Sequence, residues 1–181
     1  MPRYVAFLRA LNVGGNHVVA MPKLKSLFEA VPFTNVATFI ASGNVIFESR
    51  ATDAAKLERA IEKHLAQALG YEVATFLRTD TELAAIAGHR PFRDADLKKA
   101  KAFVVGFASA HFDARSTKIL MGFCSECETF HARGRELYWM STVGQGGSQF
   151  SAAKLEKALG AKVTFRGMNT LQRLVAKYPA G

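Results

Sequence analysis

The chain is short of the features that most readily reveal a function. It has only 2 cysteines in 181 residues, which reads as two reduced thiols rather than a disulfide framework. No apolar run approaches the roughly 18 residues that a transmembrane helix needs, so no membrane partner is expected. Met1-Pro2-Arg3-Tyr4-Val5 passes straight into a strand pattern, without a charged leader or a small-residue cleavage site. These absences point to a cytoplasmic protein. The five histidines, His17, His64, His89, His111 and His131, show no His-x-x-x-His or triad-like spacing. Ser42 and Ser148 have no identifiable base, so nucleophilic catalysis has no support. Gly14-Gly15 lacks both the Gly-Lys-Ser/Thr of a phosphate loop and the Gly-x-Gly-x-x-Gly spacing of a dinucleotide fold.

Acidic residues are also scarce, 15 against 24 Lys and Arg, for a net charge of +9. The imbalance is uneven. Up to Ala95 there are 11 basic and 9 acidic residues, a net of +2; from Asp96 onward there are 13 and 6, a net of +7. A basic second half invites an anionic partner, nucleic acid or nucleotide. A merely soluble surface is the plain alternative.

What the chain does have is core material: 49% hydrophobic residues, including 14 Phe. Tyr4 to Leu8 is short and continuously apolar, the pattern of a buried strand. Met21-Pro22 opens a helix striped by Leu24, Leu27, Phe28 and Val31. Val36 to Ala41 and Val45 to Glu48 read as strands joined by Ser42-Gly43-Asn44. Thr52 or Asp53 caps a helix carrying Leu57, Ile61, Leu65 and Leu69, stopped by Gly70. Glu72 to Arg78 is a further strand. After a connecting helix at about Glu82 to Ala87 and a charged segment, Arg93 to Lys101, the order recurs. Strands at 102–107, 128–132, 136–141 and 162–165 alternate with helices at 114–121 and 152–159, and a last helix bears Leu171, Leu174, Val175 and Tyr178.

Each half is therefore strand, helix, strand, strand, helix, strand. The expectation is an α+β protein of two tandem ferredoxin-like subdomains (βαββαβ, the α/β plait) with an added C-terminal helix. The divide is placed at 1–95 and 96–181. The segments Ala68-Leu-Gly-Tyr-Glu-Val73 and Ala158-Leu-Gly-Ala-Lys-Val163 support an internal repeat.

Candidate ligand-binding residues gather where strands end. Arg9 lies on the strand face of Phe7 and suits bidentate pairing with a phosphate or carboxylate. Asn12, Gly14, Gly15 and Asn16 follow in a loop whose backbone N–H groups can converge on an anion. The structural alternative is an Arg9 ion pair that locks the subdomains, with glycines serving a turn. Ser42 and Asn44 flank the second tight turn. Gly144-Gln-Gly-Gly-Ser148 lies between a strand and a helix, where backbone donors can cradle phosphate. Arg166 is expected to complete that anion site, with Asn169 and Thr170 beside it, one of which reads more simply as a helix N-cap. Cys124-Ser-Glu-Cys127 is a single pair; with only His131 and His111 to complete four zinc ligands, no metal is expected. Phe47, Tyr138 and Trp139 lie on strands that stack bases in plait-fold RNA-binding domains, but the aromatic spacing does not match. Phe103, Val105 and Phe107 read as core. No cofactor is called for.

The motifs together resemble a bacterial family. Leu8-Arg9, Asn12-Val13-Gly14-Gly15, Met21, Phe33, Asn35-Val36 and Ser42-Gly43-Asn44-Val45 match its first half, and Arg166-Gly-Met-Asn169-Thr170 is similar to its C-terminal signature. The family is the domain-of-unknown-function family numbered sixteen ninety-seven. Ala10 stands where it usually has Gly, Gly167-Met168 where it has Asn-Trp, and Gln149 where a lysine ends its Gly-x-Gly-x-Ser-Lys stretch. The resemblance implies two α/β-plait subdomains and no activity. Three readings stay open: a non-catalytic module for a nucleotide, nucleic acid or other phosphorylated ligand; an enzyme acting on a phosphorylated small molecule between the subdomains; and a structural or dimerising protein, a homo-oligomer without ligand.

Overall fold

Tyr4 to Leu8, the apolar run nearest the N-terminus, forms the middle of a sheet. The structure is a computed structural model and describes residues 1–11 and 17–181. Its elements run β1 (Arg3–Leu8), α1 (Met21–Glu29), β2 (Thr34–Thr38), β3 (Asn44–Glu48), α2 (Ala54–Leu69) and β4 (Thr75–Thr79), then α3 (Asp80–Gly88) and α4 (Asp94–Leu97). The second series is β5 (Ala102–Ala108), α5 (Ala114–Met121), β6 (Glu128–Arg133), β7 (Glu136–Ser141), α6 (Ala152–Leu159), β8 (Val163–Gly167) and α7 (Met168–Lys177). The fold is thus mixed α and β, with two four-stranded antiparallel sheets and seven helices among the described residues. The strand orders are β2-β3-β1-β4 and β6-β7-β5-β8, so the two halves share one topology.

The alternation of a strand decides what each face meets. In the first sheet Tyr4, Ala6 and Leu8 of β1 join Val45 and Phe47 of β3 and Leu77 of β4. They pack under Leu24 and Phe28 of α1 and Leu57, Ile61 and Leu65 of α2. On the opposite face Val5, Phe7, Ile46 and Phe76 are also buried. In the second sheet Val104, Leu137, Trp139 and Val163 pack with Leu120 of α5 and Leu155 of α6. Phe103, Val105 and Tyr138 lie on its other face, where Phe92 meets Phe103 edge-on at 5.5 Å and His89 meets Tyr138 at 5.0 Å.

Local chemistry sets the element ends. Asp53 accepts the Lys56 N–H at 3.0 Å as the cap of α2, and Ser151 caps α6 through the Lys154 N–H. Asp113 and Ser116 form a reciprocal capping box on α5. Both α2 and α6 end on glycines, Gly70 and Gly160. Strand β4 is an edge, and its outward N–H groups are covered by carboxylates: Glu62 accepts from Thr75 and Glu58 from Leu77, each at 2.9 Å. Glu82 likewise accepts from Thr79 at 2.8 Å. Spaced one helical turn apart on α2, Glu58 and Glu62 close an edge that would otherwise recruit another strand.

Some expected boundaries move. Strand β2 spans Thr34–Thr38 rather than 36–41, because its pairing already begins with Thr34 opposite Glu48 and the left-handed Ile40 (φ 53°) turns the chain out of the ladder after Thr38. The repeat holds at the helix ends but slips by two residues in the strands: four residues separate Gly70 from β4, and two separate Gly160 from β8. The chain divides into two compact units, Met1–Ala85 with Leu174–Gly181, and Ile86–Arg173. A divide at 95/96 falls inside the second unit, because the charged segment there is exposed surface and α3 follows β4 without a break. The last eight residues group with the first unit. There Arg3 donates to the Pro179 carbonyl at 2.8 Å, and the Lys177 ammonium sits 5.7 Å from the Phe39 ring centroid.

Ala10, just beyond β1, holds φ at 60°. A Cβ in that left-handed region crowds the following carbonyl, a strain glycine escapes. Ala10→Gly is therefore expected to raise stability by up to about 1 kcal/mol despite the added chain entropy. Urea denaturation checks this; an unchanged or lowered midpoint would show that the turn is relaxed.

Candidate functional site

The two motifs at the strand ends of the first unit are neighbours in space. The Gly43 carbonyl accepts the Leu8 N–H at 2.8 Å, and the Arg9 N–H is bonded to the Ala74 carbonyl at 2.9 Å. Gly43 holds φ at 79°, and a Cβ there would meet the Leu8 side chain at 3.2 Å. Only glycine meets both demands. Asn44 is fully buried; its amide donates to the Phe39 carbonyl and to the Ser42 hydroxyl, each at 2.9 Å. Asn44 thus closes the five-residue connection between β2 and β3, and Ser42 serves as one of its acceptors. Arg9 is half-buried beside this turn. Asn12, Gly14, Gly15 and Asn16 lie outside the described residues.

In the second unit the expected anion site does not assemble as one place. The Ser148 hydroxyl donates to the Glu128 carboxylate, which also accepts from the Trp139 indole N–H. Trp139 belongs to the helix-covered face of the sheet. Arg166 pairs with Val105 on the opposite face. Alternation along β8 separates it from Ser148, and the Ser148 hydroxyl is engaged with a carboxylate. The Arg166 guanidinium is buried, donating to the Thr164 hydroxyl at 2.9 Å and the Phe165 carbonyl at 2.8 Å. Burial lowers its pKa to about 10, so it stays cationic at neutral pH. Asn169 and Thr170 do not cap α7. The helix begins at Met168 directly from β8, which puts both in its first turn.

Asn169 instead lines a pocket of ≈ 280 Å³ with Arg90, Leu97, Phe103, Met168 and Gln172. The pocket sits at the N-terminal end of α7, an end whose backbone N–H groups and dipole favour negative charge. Arg90 is exposed and makes only long contacts to the Ala87 and His89 carbonyls, at 3.3 and 3.4 Å. Sequence reading missed Arg90 and Gln172, which carry no motif. It also missed Arg78, which, counted back from the strand–helix junction, is the counterpart of Arg166. Arg78 lies opposite Val5 as Arg166 lies opposite Val105, and donates to the preceding carbonyl at 2.7 Å.

Behind the pocket's arginine, His89 is held neutral. Arg133 donates to its Nδ1 at 2.6 Å, and its buried Nε2 has no hydrogen-bond partner among the described residues. Burial first, then the positive charge of Arg133 and the nearby His131, lower its pKa. The Tyr138 phenol, which it faces, is pushed up to about 12 by burial and by Glu136. Phe47 and Trp139 belong to the apolar cores and Tyr138 is buried, so none of the three offers an open face for a base. Cys124 is exposed and Cys127 half-buried. No group of three or more His, Cys, Asp or Glu able to hold a metal forms among the described residues, and no helix there is long and apolar enough to cross a membrane.

Comparison with known proteins gives a class first. Across 96% of both chains the fold matches, with a TM-score of 0.70 and 18% identity, a solved structure described as the conserved bacterial protein SP0830 from Streptococcus pneumoniae. The chain belongs to the family described as Protein of unknown function (DUF1697), whose profile matches residues 1–138. That match ends inside β7, before Ser148, Arg166 and Asn169. No curated protein matches.

Two outcomes follow from this geometry. Asn44→Ala leaves the Phe39 carbonyl without its side-chain donor inside the protein, and is expected to lose about 1–3 kcal/mol of stability. An unchanged urea midpoint would show that Asn44 is not structural. His89→Asn keeps an acceptor for Arg133 but does not titrate. With the folded pKa of His89 below its unfolded value, the unfolded state binds the proton first, so wild-type stability falls as pH drops through about 6.5. Melting temperatures between about pH 8 and 5 should fall less steeply in His89→Asn; equal slopes would place the titration elsewhere.

Proposed function

We propose that each half is a ferredoxin-like plait and that the protein is a non-catalytic module binding a phosphoryl group, carried by a nucleotide or an oligonucleotide end. The observation that carries this reading is the pocket at the start of α7, where Arg90, Asn169 and Gln172 meet the N-terminal end of a helix of 10 residues. A cation that can turn inward, two amide side chains and the backbone donors at the start of a helix form a set suited to phosphate oxygens. The apolar floor of Phe103 and Met168 suits the group that carries the phosphate. A volume of ≈ 280 Å³ is enough for a phosphate with a small attachment. The strand order and the +7 balance of the second half agree with the reading. A second candidate, resting on the sequence motif alone, is Arg9 with Asn12, Gly14, Gly15 and Asn16.

A thermal-shift series tests it, using inorganic phosphate, a nucleoside monophosphate, and one short oligonucleotide with and without a 5′-phosphate. Phosphate-bearing ligands are expected to raise the melting temperature of wild type, less so at high salt. Arg90→Ala, at an exposed position, should keep the fold while weakening binding about tenfold or more. Equal shifts in the two proteins, or none with any phosphate, would reject the assignment.

A further inference from the structure

A second cavity, in the same unit but of opposite electrostatic character, lies between the Cys124–Cys127 turn and the loop that follows β7. It measures ≈ 590 Å³, within the range of small-molecule sites. Its lining includes the acidic residues Glu126 and Glu128 and no Lys, Arg or His. In a chain of net charge +9, that is a local reversal of sign. Glu128 is the informative group. It is only 5% exposed, and its carboxylate accepts from the Trp139 indole N–H and the Ser148 hydroxyl, with the Ser141 hydroxyl at 3.4 Å. All three donors are neutral. Among the described residues no cation pairs with it. Burying a carboxylate is costly unless a counter-charge accompanies it, and three neutral donors orient the charge without cancelling it.

The walls say what kind of cation fits. Phe123 and Phe150 line the cavity and meet edge-on at 5.7 Å, giving apolar surface and ring faces that attract an ammonium group. The volume is many times that of a bare ion, and no metal-ligating group of three forms among the described residues. An anion would meet two carboxylates. We propose that this cavity binds a small organic ammonium ion, its charged head on Glu128 with Glu126 at the rim, and its apolar body against Phe123 and Phe150. The Gly144–Ser148 loop then serves to hold Glu128 in place through Ser148, which gives that glycine-rich stretch a role other than cradling phosphate. This inference is independent of the phosphate reading at α7.

Trp139 is the chain's only tryptophan and is bonded to Glu128 itself, so its fluorescence reports the site directly. Titration with 2-phenylethylamine should give a saturable change, and 2-phenylethanol, the neutral analogue of the same shape, should bind at least about tenfold more weakly. Glu128→Gln sets an amide against three donors and risks misfolding. The test variant is therefore Gln149→Arg at an exposed lining position, which supplies the missing cation from the chain itself. It should keep the wild-type melting temperature or raise it, and weaken the amine by about tenfold or more. Equal affinity for amine and alcohol would reduce the cavity to an apolar cleft and overturn the proposal. So would an undiminished response in Gln149→Arg, or no saturable response in wild type.

Discussion

Each sheet depends on one strand that is buried on both faces. In β1 every residue from Tyr4 to Leu8 is buried, and β5 repeats the arrangement from Val104 to Ala108. Such a strand has its polar backbone satisfied only if partners flank it on both sides, and here β3 and β4, then β7 and β8, do so, all antiparallel. The partners' registers place everything else. Leu8 opposite Thr75 brings the end of β1 to the start of β4, and the bond from Leu8 to Gly43 fixes the turn that Asn44 closes. Moving β1 by one residue would turn its whole apolar set over.

Buried polar groups are the second theme, and the halves treat them alike in one respect and differently in another. Arg78 and Arg166 occupy matching places, opposite Val5 and Val105 on the faces away from the helix-packed cores, where burying a long cation is costly. Repetition of a costly feature argues for an arrangement inherited with the repeat. Glu58 and Glu62, by contrast, face the backbone of an edge strand, whereas Glu128 faces a cavity. The first pair has its charge directed at N–H groups that need an acceptor; the last has a space beside it that a ligand can fill.

The candidate sites were unevenly legible. Gly43 and Asn44 stood out because a glycine beside a polar residue between apolar runs marks a tight turn, and the structure gives both a packing and hydrogen-bonding role. Arg166 was legible as a cation just beyond the last strand, but its burial was not. Arg90, Gln172 and Glu128 had no signal of their own. Each lies in an ordinary polar stretch, and it matters because of what folds against it.

From the sequence alone came the alternation of strands and helices, the repeat, a cap at Thr52 or Asp53, the stop at Gly70 and the antiparallel pairing. These rest on short-range physics, on periods of two and of 3.6 residues and on backbone preferences. Only the tertiary structure decided that Ser148 and Arg166 lie on opposite faces of one sheet, that residues 174–181 group with the first unit, and that Asn169 shares a pocket with Arg90, 79 residues earlier. Those facts depend on which distant segments pack together. That is settled by shape and burial summed over the whole chain, and no local pattern of residues encodes it.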